Sequence, residues 1–279
     1  MGLPRLPFVL IDQALIDDQA TVAPLLREYR ASGQHVALTW RGLYEISRSH
    51  FGKSVAQLLA EPNAVVIARD TTDLIRDEQK APAPPALSAL VHNHNTDSFR
   101  RMLVDMAQRG PATTPEIRHA LQGIIAQSEP LLKAHDDGNV LRNITKYLYE
   151  HLGKGEVNAV RRDLERRDTS SFRQVLRRYC SRKRMIYLLP KLGFDMLTAA
   201  KASRFPSVAM VKNVAYYATA LRERIRQGLE NRSDGSLQNE AADVENCTIA
   251  LFGRDFVIEE KKWPVLYDDC RAVCDELWP

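Results

Sequence analysis

Three short apolar runs alternate with helical segments in the first eighty residues, and this alternation constrains the fold more than any other feature. The runs read FVLID at 8–12, HVALTW at 35–40 and NAVVIA at 63–68. The segments between them carry apolar residues at helical spacing. Strands that alternate with helices pair in parallel, so the sequence predicts an α/β fold with a mostly parallel central sheet flanked by helices.

A proline-rich stretch at 80–97 interrupts this alternation, because closely spaced prolines continue neither a helix nor a central strand. From about 97 to 230 the apolar periodicity is almost wholly helical. A helix, a fourth strand and a last short helix then follow. We therefore expect residues 1–80 and 231–279 to form one discontinuous α/β core, and 81–230 to form a large all-helical insertion.

Acidic residues stand where the predicted strands end. Asp12 closes the first strand run, and Glu259 and Glu260 follow the FVI of the last one. Glu45 lies in the opening turns of the helix after the second strand. Taken singly, each has an ordinary explanation: Asp12 caps a helix, Glu45 offsets a helix dipole, and the paired glutamates are solvated.

The late helix SLQNEAADVENCTIALFG carries two further acids. At 100° per residue, Val244, Cys247 and Leu251 form a narrow apolar stripe, with Glu240 at its middle and Asp243 at its margin. A carboxylate on an inward stripe requires a partner, because burial without one is costly.

As a set, Asp12, Glu45, Asp243 and Glu260 predict a metal site. Two stand at strand ends and two on helices that would flank those ends. Gathered carboxylates repel one another unless cations lie between them, and Mg²⁺ or Mn²⁺ suits such hard oxygen ligands. Two such ions about 3.5–4 Å apart promote phosphodiester hydrolysis.

Three segments, FVLID, ALTWRGLYEISRS and NEAADVENCTIALFGRDFVIEEKKW, together resemble the PIN-domain nucleases. In that family an aspartate ends the first strand, a glutamate lies in an early helix, acids occupy a late helix, and a further acid closes the next strand. By position, the resemblance makes Asp12, Glu45 and Asp243 metal ligands and catalytic residues. It gives Glu260 the place usually held by aspartate, and makes Glu240 an accessory acid. The match covers roughly residues 8–80 and 236–279.

The resemblance implies a divalent-metal-dependent endoribonuclease that leaves 5′-phosphate and 3′-hydroxyl ends. It also implies a role of the toxin or defence kind, with a neutralising or regulatory protein as partner. The alternative is a non-catalytic module of the same fold that binds protein or RNA. Homo-oligomers are compatible with both readings.

Residues 161–184 are strongly basic, with ten Arg or Lys and three acids. We expect contacts to RNA phosphates from six of them, with Phe172 and Tyr179 stacking on unpaired bases. These six are Arg173, Arg177, Arg178, Arg182, Lys183 and Arg184. The alternative is a solvated helix laced with pairs between Arg and Asp or Glu at 161–168.

Composition and motifs exclude several other classes. There is no GxxxxGK[ST], GxGxxG or GxSxG motif, and the four cysteines contain no CxxC pair. No apolar stretch reaches the roughly 20 residues that span a bilayer, so we expect a cytoplasmic protein with no membrane partner. His92 and His94 could chelate a metal, but a solvated loop is the expected structure there.

Overall fold

The computed structural model describes residues 3–12, 19–39, 60–109, 137–226, 234–257 and 262–279, with the single residues 15, 42, 58 and 119. The predicted site residues Glu45 and Glu260, and the neighbouring Glu259, lie outside these residues.

The four strands of the sheet coincide with the four predicted apolar runs. They are β1 (Phe8–Ile11), β2 (His35–Leu38), β3 (Val65–Ile67) and β4 (Asp255–Val257). They form one sheet in the order β3-β2-β1-β4, and all three pairings are parallel. The predicted α/β class and parallel sheet are therefore confirmed, and the first and last parts of the chain meet where β1 pairs with β4.

The helices of the described residues follow the same chain order. They are α1 (Gln19–Ala31), α2 (Thr71–Lys80), α3 (Leu87–Leu90), α4 (Asn93–Arg109), α5 (Asp137–His151), α6 (Lys154–Glu165), α7 (Ser170–Tyr179), α8 (Arg182–Leu188), α9 (Met196–Ala202), α10 (Val208–Arg226), α11 (Asp234–Phe252) and α12 (Lys262–Leu277). Short 3-10 turns at Pro62–Ala64 and Leu189–Leu192 complete the elements.

Both faces of the sheet are covered, which explains why its strands are continuously apolar rather than alternating. One face packs against α1 and α4 through Val36, Leu38, Val65 and Ile67. The opposite face, carrying Phe8, Leu10, Ala37 and Val66, belongs to a larger cluster with the helices from α5 onward. Because successive side chains of a strand point to opposite faces of the sheet, each apolar run contributes to both layers of the core.

The predicted helical segment 81–230 shares its hydrophobic core with the sheet. Its described residues are mostly helical, with an irregular stretch at 81–86 and an antiparallel bridge from Val91 to Ala68, which follows β3. Helix α10 is buried along almost its whole length and packs against α5, α11, α12 and α2. Among the described helices, none is both long and apolar enough to cross a membrane.

The end of α11 fits closely against the start of β1. The Leu6 N–H donates to the Phe252 carbonyl at 3.0 Å, and the Arg254 N–H donates to the Phe8 carbonyl at 2.8 Å. A Cβ atom at Gly253 would lie 2.7 Å from the Phe8 carbonyl oxygen, so only glycine allows this approach. This contact fixes the height of α11 relative to the sheet.

Candidate functional site at the carboxyl edge of the sheet

Asp12 lies at the middle of the sheet's carboxyl edge. It directly follows β1, the strand between β2 and β4, and its backbone N–H donates to the Val257 carbonyl at 2.9 Å. Ligand sites of open parallel sheets form at this edge, outside the carboxyl ends of the strands. The side chain of Asp12 is partly buried. The predicted end of the first strand at Asp12 is therefore confirmed, while its role as a metal ligand stays a prediction.

Helix α11 runs antiparallel to the strands and brings its middle to the same edge. Its last residue, Phe252, lies at the opposite, amino edge beside Leu6. Two turns earlier, the Asn246 side-chain oxygen accepts a 2.8 Å hydrogen bond from the Thr39 hydroxyl, which follows β2. The neighbouring Glu245 carboxylate accepts from the Thr71 N–H, at the start of α2 after β3, at 3.2 Å. Residues 245–246 therefore mark the level of the carboxyl edge.

Asp243 lies just beyond this level, on the side of α11 that turns toward β1. Three residues before Asn246 correspond to about 4.5 Å along the helix axis. Around the axis, Glu245 faces the β3 side, Asn246 faces β2, and Asp243 continues about 60° further in the same direction. Its side chain is partly buried. Ideal helix geometry thus predicts that Asp243 faces the part of the edge that follows β1.

Glu240, about one turn before Asp243 on α11, is buried beside an arginine of α10. Its Oε2 atom lies 3.5 Å from the Arg222 guanidinium, which also lies 3.4 Å from Glu223. The Glu240 and Arg222 side chains are only 6% and 9% exposed. The inward stripe of Val244, Cys247 and Leu251 is fully buried, as predicted. Arg222 thus supplies a counter-charge for the carboxylate on that stripe.

Three of the five acids predicted at the metal site can be placed. Asp12, Glu240 and Asp243 are described, whereas Glu45 and Glu260 lie outside the described residues. Within the placed part of the chain, no group of three or more His, Cys, Asp or Glu side chains is arranged to hold a metal. A four-carboxylate site would therefore need both of the remaining acids.

The arginines of α7 hold helices together. Arg173 pairs with the buried carboxylate of Asp269 in α12 at 2.5 Å, and Arg177 pairs with Glu276 of the same helix. Arg178 pairs with Glu156 of α6 at 2.8 Å. These three residues of the predicted RNA surface are therefore engaged in ion pairs between helices.

The cations of α8 differ from those of α7. Arg182, Lys183 and Arg184 are all exposed, and none pairs with a carboxylate in the part of the chain that is described. Arg184 lies over the Tyr179 ring, with its guanidinium carbon 5.1 Å from the ring centroid. The six predicted phosphate contacts therefore divide into three ion-paired arginines and three cations that face solvent.

The predicted stacking residues are wrong, because both aromatic rings are in the core. Phe172 and Tyr179 are 2% and 4% exposed. The Tyr179 hydroxyl donates to the His151 carbonyl at 3.2 Å, and its ring stacks near Tyr217. They lie on the apolar face of α7 with Val175 and Leu176, which are also buried. The exposed aromatic residue nearby is Tyr187 of α8, at 67%.

The HNHN stretch begins a helix rather than forming a solvated loop. Its first residue, His92, donates its backbone N–H to the Ile67 carbonyl at 2.8 Å, and its Nδ1 accepts from the Asn95 N–H at 3.3 Å. Helix α4 starts at Asn93. Burial, and next the nearby Arg69, lowers the pKa of His92. This histidine caps the first turn of α4, which explains the partial burial of the stretch.

The four cysteines, Cys180, Cys247, Cys270 and Cys274, are buried free thiols. Burial raises the pKa of the Cys180 and Cys274 thiols, and a hydrogen bond with Cys247 together with burial raises that of Cys270. Thiols with raised pKa values are poor nucleophiles. They therefore serve as small core side chains, as the lack of a CxxC pair predicts.

The fold defines the class of the protein as α/β, with a four-stranded parallel sheet in its described residues. Comparisons with protein-family models, with curated proteins and with solved structures found no match to this chain.

Proposed function

We propose that this protein is a divalent-metal-dependent endoribonuclease whose active site lies at the carboxyl edge of the sheet. The observation that carries the proposal is the height of α11, which the Thr39–Asn246 hydrogen bond sets at the ends of the strands. In this proposal Asp12 and Asp243, which are more than two hundred residues apart in the chain, act at the same site.

The donor atoms of this region fit Mg²⁺ or Mn²⁺. Carboxylate oxygens are the ligands these ions prefer, and Asp12 and Asp243 are both partly buried. Asp12 and Asp243 would hold the metal, with Glu45 and Glu260 completing the site and Glu240 as an accessory acid. When bound, such ions activate water and stabilise the leaving oxygen of a phosphodiester.

The protein's own groups have two tasks in this mechanism. The acids orient the metal and act neither as nucleophiles nor as proton donors. The Arg222 guanidinium, 3.5 Å from Glu240, balances the charge of that carboxylate. By its resemblance to PIN-domain nucleases, we assign the protein a toxin or defence role in the cytoplasm, with a neutralising protein as partner.

A cleavage assay tests the proposal. Purified protein is incubated with total RNA and Mn²⁺ or Mg²⁺, with EDTA as the blank, and fragment ends are sequenced. We expect cleavage that leaves 5′-phosphate and 3′-hydroxyl ends, and a rate reduced on the order of 100-fold or more by Asp12→Asn or Asp243→Asn. Glu150→Gln, an exposed acid of α5, is the matched control and should leave the rate unchanged.

Two results would overturn the assignment. One is the absence of metal-dependent cleavage of RNA in either metal. The other is an Asp12→Asn protein that cleaves as fast as the unsubstituted one. RNA binding without cleavage would instead favour the non-catalytic module.

A further inference from the structure

Helix α8 carries an aromatic ring that faces solvent. Tyr187 is 67% exposed, the most of any large hydrophobic side chain in the described residues. The exposure follows from the docking of the helix: Met185 is 1% exposed and its sulfur accepts from the Asn213 amide of α10 at 2.9 Å. Residues two before and two after Met185 lie about 160° away around the helix, so Lys183 and Tyr187 share the outward face.

Basic residues are concentrated near this ring along the chain. Lys183 is four residues before Tyr187, which places the two side chains side by side on the helix surface. Between 182 and 204 the chain has six basic residues and one acid. That acid, Asp195, is already engaged, because its carboxylate caps α9 by accepting from the Leu197 and Thr198 N–H groups at 2.9 and 3.0 Å.

Two more apolar side chains stand exposed close along the chain. Met196 and Leu197, at the start of α9, are 62% and 66% exposed. A 3-10 turn contacts both α8 and α9 and connects them. The segment 182–197 therefore offers apolar and aromatic surface together with Arg182, Lys183 and Arg184, which no carboxylate of the described residues neutralises.

We infer that this segment, the α8 face, binds single-stranded RNA, with a base stacked on Tyr187 and phosphates contacted by Arg182 and Lys183. The choice of RNA as ligand rests on the proposed function. The surface itself favours a polyanion that has planar apolar groups, because α8 combines three cations, no acid and an exposed ring. Unpaired bases stack on such rings, whereas the bases of a duplex are already stacked on each other.

The arrangement also assigns different roles to the two halves of the basic stretch. Arg173, Arg177 and Arg178 hold α7 to its neighbours through ion pairs. The α8 cations are available to release counterions from RNA. Substitution of the first group is expected to affect folding, and substitution of the second group to affect affinity.

Fluorescence anisotropy with a short labelled single-stranded RNA, in EDTA, tests the inference without any metal or cleavage. Tyr187→Ala is expected to weaken binding at least about fivefold, and Tyr187→Phe, which keeps the ring, to stay within about twofold. The double variant Arg182→Gln/Lys183→Gln should reduce the slope of log affinity against log salt by about 1.4. Lys146→Gln/Lys154→Gln removes the same charge from exposed positions on α5 and α6, and should leave the effect of Tyr187→Ala intact.

Several outcomes would overturn the α8 face as an RNA site. The first is that Tyr187→Ala binds single-stranded RNA as tightly as the unsubstituted protein. The second is that a duplex of the same sequence binds as tightly and loses as much affinity on the same substitutions. The third is that single-stranded RNA does not bind. The last outcome would assign the surface to a protein partner. Because EDTA removes the metal, failure here leaves the nuclease proposal standing, and failure of the cleavage assay leaves this inference standing.

Discussion

The Thr39 hydroxyl, at the end of β2, donates a 2.8 Å hydrogen bond to the side-chain oxygen of Asn246 on α11. The same Thr39 oxygen accepts from the Gly42 N–H at 3.1 Å, so one buried hydroxyl connects the end of a strand, Gly42 and the helix that carries Asp243.

Thr39→Val removes this hydroxyl while keeping the shape of the side chain. Two polar groups lose their partner, so we expect the free energy of unfolding to fall by about 1–3 kcal/mol, measured by urea denaturation. Metal-dependent RNA cleavage should fall further than stability alone explains, because Asp243 lies one turn from the lost contact. Thr39→Ser keeps the hydroxyl and serves as the control. If the Thr39→Val protein keeps its stability and its cleavage rate, the Thr39–Asn246 hydrogen bond does not position α11.

Two ion pairs between α7 and α12 allow a direct comparison of buried and exposed charge. The Asp269 side chain is 3% exposed, and burial raises its pKa despite the partner Arg173. Arg173→Met leaves this carboxylate without its counter-charge, so we expect a loss of about 2–3 kcal/mol in the free energy of unfolding at neutral pH. The loss should shrink in acid, where Asp269 is protonated.

Arg177→Met is the matched substitution on the same helix. Its partner Glu276 is 44% exposed, and exposed pairs contribute about 0–1 kcal/mol. Equal losses for the Arg173 and Arg177 variants in urea denaturation would contradict the burial argument.

Glu78 of α2 caps the start of α10 from inside the core. Its two carboxylate oxygens accept from the Val208 and Ala209 N–H groups at 2.5 and 3.1 Å. Burial nevertheless raises the pKa of Glu78 to about 7 from its usual 4.5, against the opposite effect of the two hydrogen bonds.

The raised pKa makes stability depend on pH in a defined direction. Between about pH 4.5 and 7 the folded state holds a proton that the unfolded state has lost, so stability falls as pH rises. The full effect of this one group is about 3 kcal/mol. We expect Glu78→Gln to flatten the slope in that window, measured by urea denaturation across pH. A slope that survives the substitution unchanged would assign the pH dependence to other groups.

The strands could be predicted from the sequence because a sheet buried on both faces leaves short, continuous apolar runs. The inward position of Glu240 could also be predicted, because the apolar stripe of Val244, Cys247 and Leu251 follows from helical spacing alone. Its partner Arg222 could not, because nothing local in the sequence connects Arg222 to Glu240.

The basic stretch shows the same limit more clearly. Arg173 and Arg177 pair with Asp269 and Glu276, which lie nearly a hundred residues further along the chain. Without those partners, the arginines could not be distinguished from free cations. The exposure of Tyr187 likewise depends on how Met185 docks against α10, although its spacing of four residues from Lys183 was a usable signal.

In the proposed site, acids from the two ends of the chain hold a shared divalent cation. Titration of Mn²⁺, followed by electron paramagnetic resonance, measures this directly. We predict that the folded protein binds Mn²⁺ and that Asp12→Asn/Asp243→Asn abolishes the binding, while the control Glu150→Gln/Glu165→Gln, at exposed sites on α5 and α6, retains it. If the Asp12→Asn/Asp243→Asn protein binds Mn²⁺ as tightly as the control protein does, these two acids do not hold the metal.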